Sequence, residues 1–188
     1  MKSETISKVP RSKLVLPVAG RDHIRGRIHA PVSLVEYGDY ECPYCGEAYP
    51  IIKAVQKELG QNLCFAFRNF PLINSHPHAE HAAEAAEIAG AYGRFWEMHD
   101  VLFERQKALD DENLAEYAAA IGLDPERLIA DVESGAQIER VKEDYQSGTR
   151  AGVHGTPSFF INGVFYEGDY EFVPLLNALT AVGTRPEH

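Results

Sequence analysis

The sequence predicts an α/β protein ordered as β-α-β, a helical block, then β-β-α. Three observations carry this reading. The β-type runs Val32-Ser33-Leu34-Val35-Glu36-Tyr37 and Leu63-Cys64-Phe65-Ala66-Phe67 bracket a stretch of helical period. From His78 to about Gly152 the period stays helical. Two further runs, Ser158-Phe159-Phe160-Ile161 and Val164-Phe165-Tyr166, then flank Asn162-Gly163, a two-residue turn whose members both tolerate positive φ.

Residues 1 to about 28 mix polar, basic and Pro/Gly positions around the apolar stretch Leu14-Val15-Leu16-Pro17-Val18, which predicts a flexible arm leading to an edge strand. Gly38 and Asp39 end the first run. Pro43 suits the first position of the next helix, where its missing N–H would find no partner, and Gly60 suits the stop. Ala48, Ile52, Val55 and Leu59 fall on one side of that helix, with Cys45 on the same side, and Pro50 is expected to kink it. A strand-helix-strand crossover of this length implies parallel pairing.

In the helical block the clearest stripe is Leu114, Tyr117, Ala118 and Ile121. Asp124-Pro125 reads as a cap and first position of another helix, and Ile138, Val141 and Tyr145 mark the face of a third. Trp96, with Phe95, Met98 and Phe103, is read as core, and Glu80, Glu84 and Glu87 as a solvated helix face. Phe172, Leu175, Leu176 and Leu179 make the last amphipathic helix.

The chain has 188 residues, enough for a sizeable core, and a formal net charge of -10 that argues against nucleic acid or an anionic membrane surface as partner. No stretch offers the ~18 consecutive apolar residues of a membrane span, and Met1 to Gly20 lacks the apolar region of a secretory signal. As written, the expectation is a cytoplasmic protein, or a periplasmic or secreted one if a signal has been removed. No sustained heptad calls for a dimer, so a monomer is expected.

Three cysteines are too few for a disulfide scaffold, so the spaced pair Cys42 and Cys45 reads as chemistry or metal and Cys64, among Leu63, Phe65 and Phe67, as an inert buried residue. A spacing of three puts both sulfurs on one helical turn, within reach of a disulfide. The free N–H groups and positive dipole end of a helix favour thiolate, which places Cys42 in solvent as the nucleophile and Cys45 inward. Asp39 and Glu41 oppose that thiolate and are read as solvated loop acids. A structural zinc site would need four ligands, and no second CxxC is present. His76, His78 and His81 could supply metal ligands, but the commoner use of such a cluster is a polar-capped lead into a helix. His154 reads as a surface residue.

With Cys42-Pro43-Tyr44-Cys45 at the first helix start and Gly155-Thr156-Pro157 just before the hairpin, the chain resembles the DsbA-like branch of the thioredoxin superfamily over about residues 30–182. The resemblance implies a thioredoxin fold with an inserted helical block: an arm at 1–28, a core at 29–77 and 153–184, and the insertion at 78–152. It implies thiol-disulfide exchange with cysteine-containing protein substrates and a thiol redox partner such as glutathione, a thioredoxin-like protein or a membrane oxidant, with no cofactor and no metal. It further implies that Glu36, six residues before Cys42, exchanges protons with Cys45; strand alternation alone would equally allow Glu36 to face solvent. Sequence alone favours a trans Thr156–Pro157 bond, since ~5–6% of X–Pro bonds are cis, whereas the resemblance implies a cis proline facing the cysteines and a Thr156 backbone that pairs with substrate. Tyr44 stands where strong oxidases of this branch carry histidine, and glutaredoxins also carry Pro-Tyr, which leaves the direction of exchange open. Two alternatives stand beside it: a redox-sensing or metal-binding module, and a glutathione-dependent isomerase or transferase on a related fold.

Overall fold

Strand alternation at the centre of the chain sets the architecture. In the computed structural model, which describes residues 12–183, the run Val32–Gly38 (β2) pairs parallel with Leu63–Asn69 (β3) and antiparallel with Ser158–Ile161 (β4). The sheet is completed by His23–Gly26 (β1) beside β3 and Val164–Phe165 (β5) beside β4, in the order β1-β3-β2-β4-β5. The edge strand to which the arm was expected to lead lies at His23–Gly26, after the Leu14–Val18 stretch. Leu14 and Val18 instead pack on the second core, and Lys13 bridges Val164 on the far edge. Residues 1–11 of the expected arm, and residues 184–188, lie outside the described residues.

Pro43–Leu59 (α1) connects β2 to β3. It continues through Pro50 and stops at Gly60, whose φ of 51° is open to glycine without steric cost. The block contains five helices, Ala79–Ala91 (α2), Phe95–Glu104 (α3), Asp111–Ala120 (α4), Pro125–Glu133 (α5) and Ile138–Arg150 (α6), and Phe172–Gly183 (α7) closes the chain. Asp124 caps α5 by accepting from the Arg127 N–H, with Pro125 at the first position. Asn162 and Gly163 both have positive φ in the β4–β5 turn.

Because side chains alternate across a strand, Leu34 of β2 joins the larger core under α1, α3 and α7, while Val35 and Tyr37 join a second core with Phe70, Ala151 and Phe160. Glu36 shares the side of Leu34, in register with Phe67 and Phe159, and is buried. Trp96 packs against the larger core with Phe95, Met98 and Phe103, as read from the sequence.

The expectation of a solvated face on α2 is corrected: Glu84 and Glu87 are buried. Spacing along one helix cannot report what packs against it, and α2 is flanked by α3, α5 and α6, its alanines admitting close neighbours. Glu87 is held by His23 Nε2 (2.8 Å) and Asn69 Nδ2 (2.7 Å). Nearby, Arg68, fully buried, donates to Asp22 (2.8 Å) and to the Tyr37 hydroxyl (2.9 Å), while Asp144 accepts from Arg140 (2.6 Å), Arg21 (2.8 Å) and the Asn69 N–H (3.1 Å). These paired charges tie β1, β3 and α6 together in a place too dry for unpaired ones.

Candidate active site

Cys42 is the N-cap of α1 and Pro43 its first residue. The Cys42 carbonyl accepts from the N–H groups of Cys45 and Gly46, both at 3.1 Å, closing the first turn. That turn places the two thiols side by side, near enough for each to shift the ionisation of the other. Both are free thiols here.

The sulfur of Cys42 does not stand in solvent as the sequence reading expected: the residue is 3% exposed. It turns toward the loop before β4, where the thiol donates to the Thr156 carbonyl at 3.3 Å. A sulfur at a helix start finds its partners on the strand side, and periodicity along the helix carries no information about that loop. The Thr156–Pro157 bond is cis. The Thr156 hydroxyl is buried with no hydrogen-bond partner, and Thr156 favours the ionised form of Cys42. Tyr44, by contrast, is 60% exposed.

The two thiols hold their protons very differently. Cys42 is pulled down to about 5, first by the hydrogen bond from Cys45 and further by Thr156 and the backbone of Cys45 and Tyr44, against burial. Cys45, fully buried, is pushed well above its ordinary value by burial, by the hydrogen bond it gives Cys42, and by the charges of Glu36 and Cys42. The Asp39 N–H donates weakly to its sulfur at 3.5 Å.

Between the two readings of Glu36, the structure places the residue inward. Burial, and then the Cys42 charge, raise its carboxyl to about 8, and its Oε1 has no hydrogen-bond partner. Tyr170, just before α7, also senses the pair: burial, then Glu47, Cys45 and Cys42, raise its hydroxyl.

Asp39 and Glu41 are not free loop acids. Asp39 is buried and accepts from the Glu41 N–H (2.8 Å), the Leu72 N–H (2.8 Å) and His76 Nδ1 (2.7 Å). Glu41 accepts from His78 at Nδ1 (2.9 Å) and at the backbone N–H (2.7 Å). Sequence reasoning paired neither acid with its histidine, although the spacing of acids before Cys42 and histidines before α2 was visible. His81 pairs with Asp111 (2.7 Å), so each histidine of the cluster faces a carboxylate, and among the described residues no three metal-ligating side chains converge.

A second residue the sequence did not flag is Gln106, beyond α3. Its Nε2 donates to the carbonyls of Tyr40 (2.8 Å) and Cys42 (2.7 Å), pinning the turn that carries Cys42. Gly46 leaves room for it, since a Cβ there would collide with the Gln106 amide. No sequence signal marks a lone glutamine for this part.

The family model described as Thioredoxin matches residues 19–180. The chain belongs to the thioredoxin family. Within that family its fold is DsbA-like: it superposes on oxidised BdbD from Bacillus subtilis with a TM-score of 0.83 at 22% identity, covering 93% of this chain and 98% of that one. Alpha-DsbA1 from Wolbachia pipientis gives a TM-score of 0.75 at 19% identity, covering 90% and 94%. In sequence, the chain is 42% identical over 175 residues to the Na(+)/H(+) antiporter NhaA 1 of Salinispora arenicola, covering 92% of this chain and 27% of that protein. The chain thus spans about a quarter of the length of such curated relatives, and no described helix is long and apolar enough to cross a membrane.

Proposed function

We propose that this chain is a thiol-disulfide oxidoreductase, with Cys42 as nucleophile and Cys45 as resolving thiol. The observation that carries it is the placement of two adjacent free thiols on the first turn of α1, one turned to the cis Thr156–Pro157 loop and the other buried, with their opposed proton affinities in support. In the reducing direction, the Cys42 thiolate attacks a substrate disulfide, forming a mixed disulfide and releasing one substrate thiolate. Cys42 then carries no charge, so one of the causes that held Glu36 protonated is gone; Glu36 gives its proton up to the released substrate thiolate by way of solvent, and the carboxylate so formed accepts the Cys45 proton. The Cys45 thiolate attacks Cys42 Sγ and expels the second substrate thiolate, leaving the Cys42–Cys45 disulfide. Oxidation of a dithiol substrate runs the same steps backward, with Glu36 returning the proton. Thr156 and Pro157 line the approach to Cys42, and an extended substrate segment pairs with the Thr156 backbone in place of the Cys42 thiol.

Protein disulfides are the substrates this reading assigns, with a small or protein thiol as redox partner, and the DsbA-like fold supports the non-cytoplasmic of the two compartments considered. Insulin reduction with glutathione or dithiothreitol tests it. Cys42→Ser should abolish turnover and Cys45→Ser should accumulate mixed disulfides, with metal content absent from the purified protein. A Cys45→Ser variant that stays fully active and traps nothing sinks the two-thiol mechanism.

A second reading is supported by the higher identity to antiporter-named proteins than to the solved oxidoreductases. In it the same pair acts as a redox module serving a cation-proton antiporter. Cation-dependent proton flux in vesicles holding such an antiporter should then respond to the wild-type chain and not to Cys42→Ser.

A further inference from the structure

The segment between β3 and α2 brings an imidazole to the acid beside the cysteines. Asp39 and Glu41 precede Cys42, and carboxylates there work against a thiolate. Asp39 is 2% exposed, so water does little to screen it. Its backbone touches both cysteines: its carbonyl accepts from the Cys42 N–H at 3.2 Å, and its N–H points at Cys45 Sγ. Its side chain holds His76 Nδ1 at 2.7 Å. The dipeptide between the cysteines, Pro43-Tyr44, carries no positive charge.

We propose that His76, held by Asp39, is a positioning residue whose positive charge offsets the Asp39 carboxylate beside the cysteines, adding to the hold of Cys45 and Thr156 on the Cys42 thiolate and raising the reduction potential in place of a cation between the cysteines. The inference rests on the exchange function proposed above. The ionisable groups facing His76 are Asp39, Cys42 and Glu41; burial opposes its charged form, yet these three outweigh burial and raise its pKa. His78 opposes Glu41 in the same way, at an exposed position where screening weakens it.

Reduction of the Cys42–Cys45 disulfide by a dithiol breaks the S–S bond and adds two electrons, and the donor becomes a disulfide. Of the two protons the dithiol gives up, one ends on Cys45 and the other goes to solvent, since Cys42 stays a thiolate. An imidazolium at position 76 stabilises that thiolate and has no matching charge to stabilise in the disulfide, so it raises the potential.

Two variants separate charge from packing. His76→Asn keeps a donor near the position of Nδ1 without the charge, and His76→Ala removes both. For each, the equilibrium constant with glutathione is measured at about pH 6 and about pH 9 and the midpoint of Cys42 alkylation is read from a titration across pH, with thermal melts to confirm folding. At about pH 6 both variants should shift the equilibrium toward the disulfide roughly tenfold, about 30 mV on a two-electron couple, and raise the alkylation midpoint. As the pH rises toward 9 and the imidazole gives up its proton, the difference from the wild type should shrink. An unmoved midpoint in His76→Asn, or equal shifts at both pH values, overturns the inference. Alkylation needs no disulfide partner, so a wild type inert toward glutathione would count against the proposed function and leave the test of His76 intact.

Discussion

Acidifying the reduced protein should dismantle the asymmetry of the cysteine pair by an amount that follows from the site. The Cys42 thiol lies at about 5 against an ordinary 9.0. Because the folded value is depressed, the thiolate stabilises the reduced fold fully above pH 9, by half the gap at pH 7, and not at all once the pH has fallen below 5. Half the gap corresponds to about 3 kcal/mol at pH 7. The disulfide form has no such group, so the potential at pH 7 stands roughly 60 mV more oxidising than that of an unperturbed pair. The pH dependence carries a second signature. Below pH 5 reduction takes up two protons for two electrons, a slope of about 59 mV per pH, and above it one proton, about 30 mV per pH. Iodoacetamide trapping across pH gives the midpoint, and glutathione equilibration at each pH gives the slope. An alkylation midpoint at about pH 8 or higher, with no break in slope, refutes the reasoning, because neither Cys45 nor Thr156 would then be stabilising a thiolate.

Three further outcomes follow from neighbouring residues. Burial lifts Glu36 from 4.5 to about 8, so ionising it destabilises the reduced fold as pH rises past 4.5, by about 3 kcal/mol at pH 7 and about 5 kcal/mol above pH 8. Glu36→Gln removes this dependence, and its urea midpoint relative to wild type should climb between about pH 5 and pH 8; parallel curves would show the carboxyl to be unburdened. Gly46→Ala should push Gln106 off the Tyr40 and Cys42 carbonyls, slowing exchange with little loss of stability, since alanine returns about 1 kcal/mol to the helix; unchanged exchange kinetics would deny Gln106 its hold on the turn. Asp22→Ala strands the buried Arg68 charge and should cost about 3–5 kcal/mol by chemical denaturation, with the Asp22→Ala/Arg68→Met pair recovering most of it.

What the sequence alone determined is the part of this protein that local rules govern. The β2 and β3 runs, the helix opened by Pro43 and stopped by Gly60, the Asp124–Pro125 cap and the Asn162-Gly163 turn are all set by dihedral preference and by hydrogen bonds within a few residues, and each is in place. The cysteine spacing fixed the candidate pair for the same reason, since one helical turn decides the distance between their side chains.

Tertiary structure decided what those residues meet. Whether Glu36 faced solvent or core was undecided along a strand with one residue per side, until α1 and the Phe67 and Phe159 neighbours closed over it. Cys42 turned to Thr156, Asp39 to His76 and Glu87 to His23 across separations of 114, 37 and 64 residues, pairings no local pattern encodes. Ionisation in a protein depends on burial and on charges a few ångströms away in space. The sequence could therefore locate the two sulfurs, but only the folded chain could make one a thiolate and keep the other a thiol.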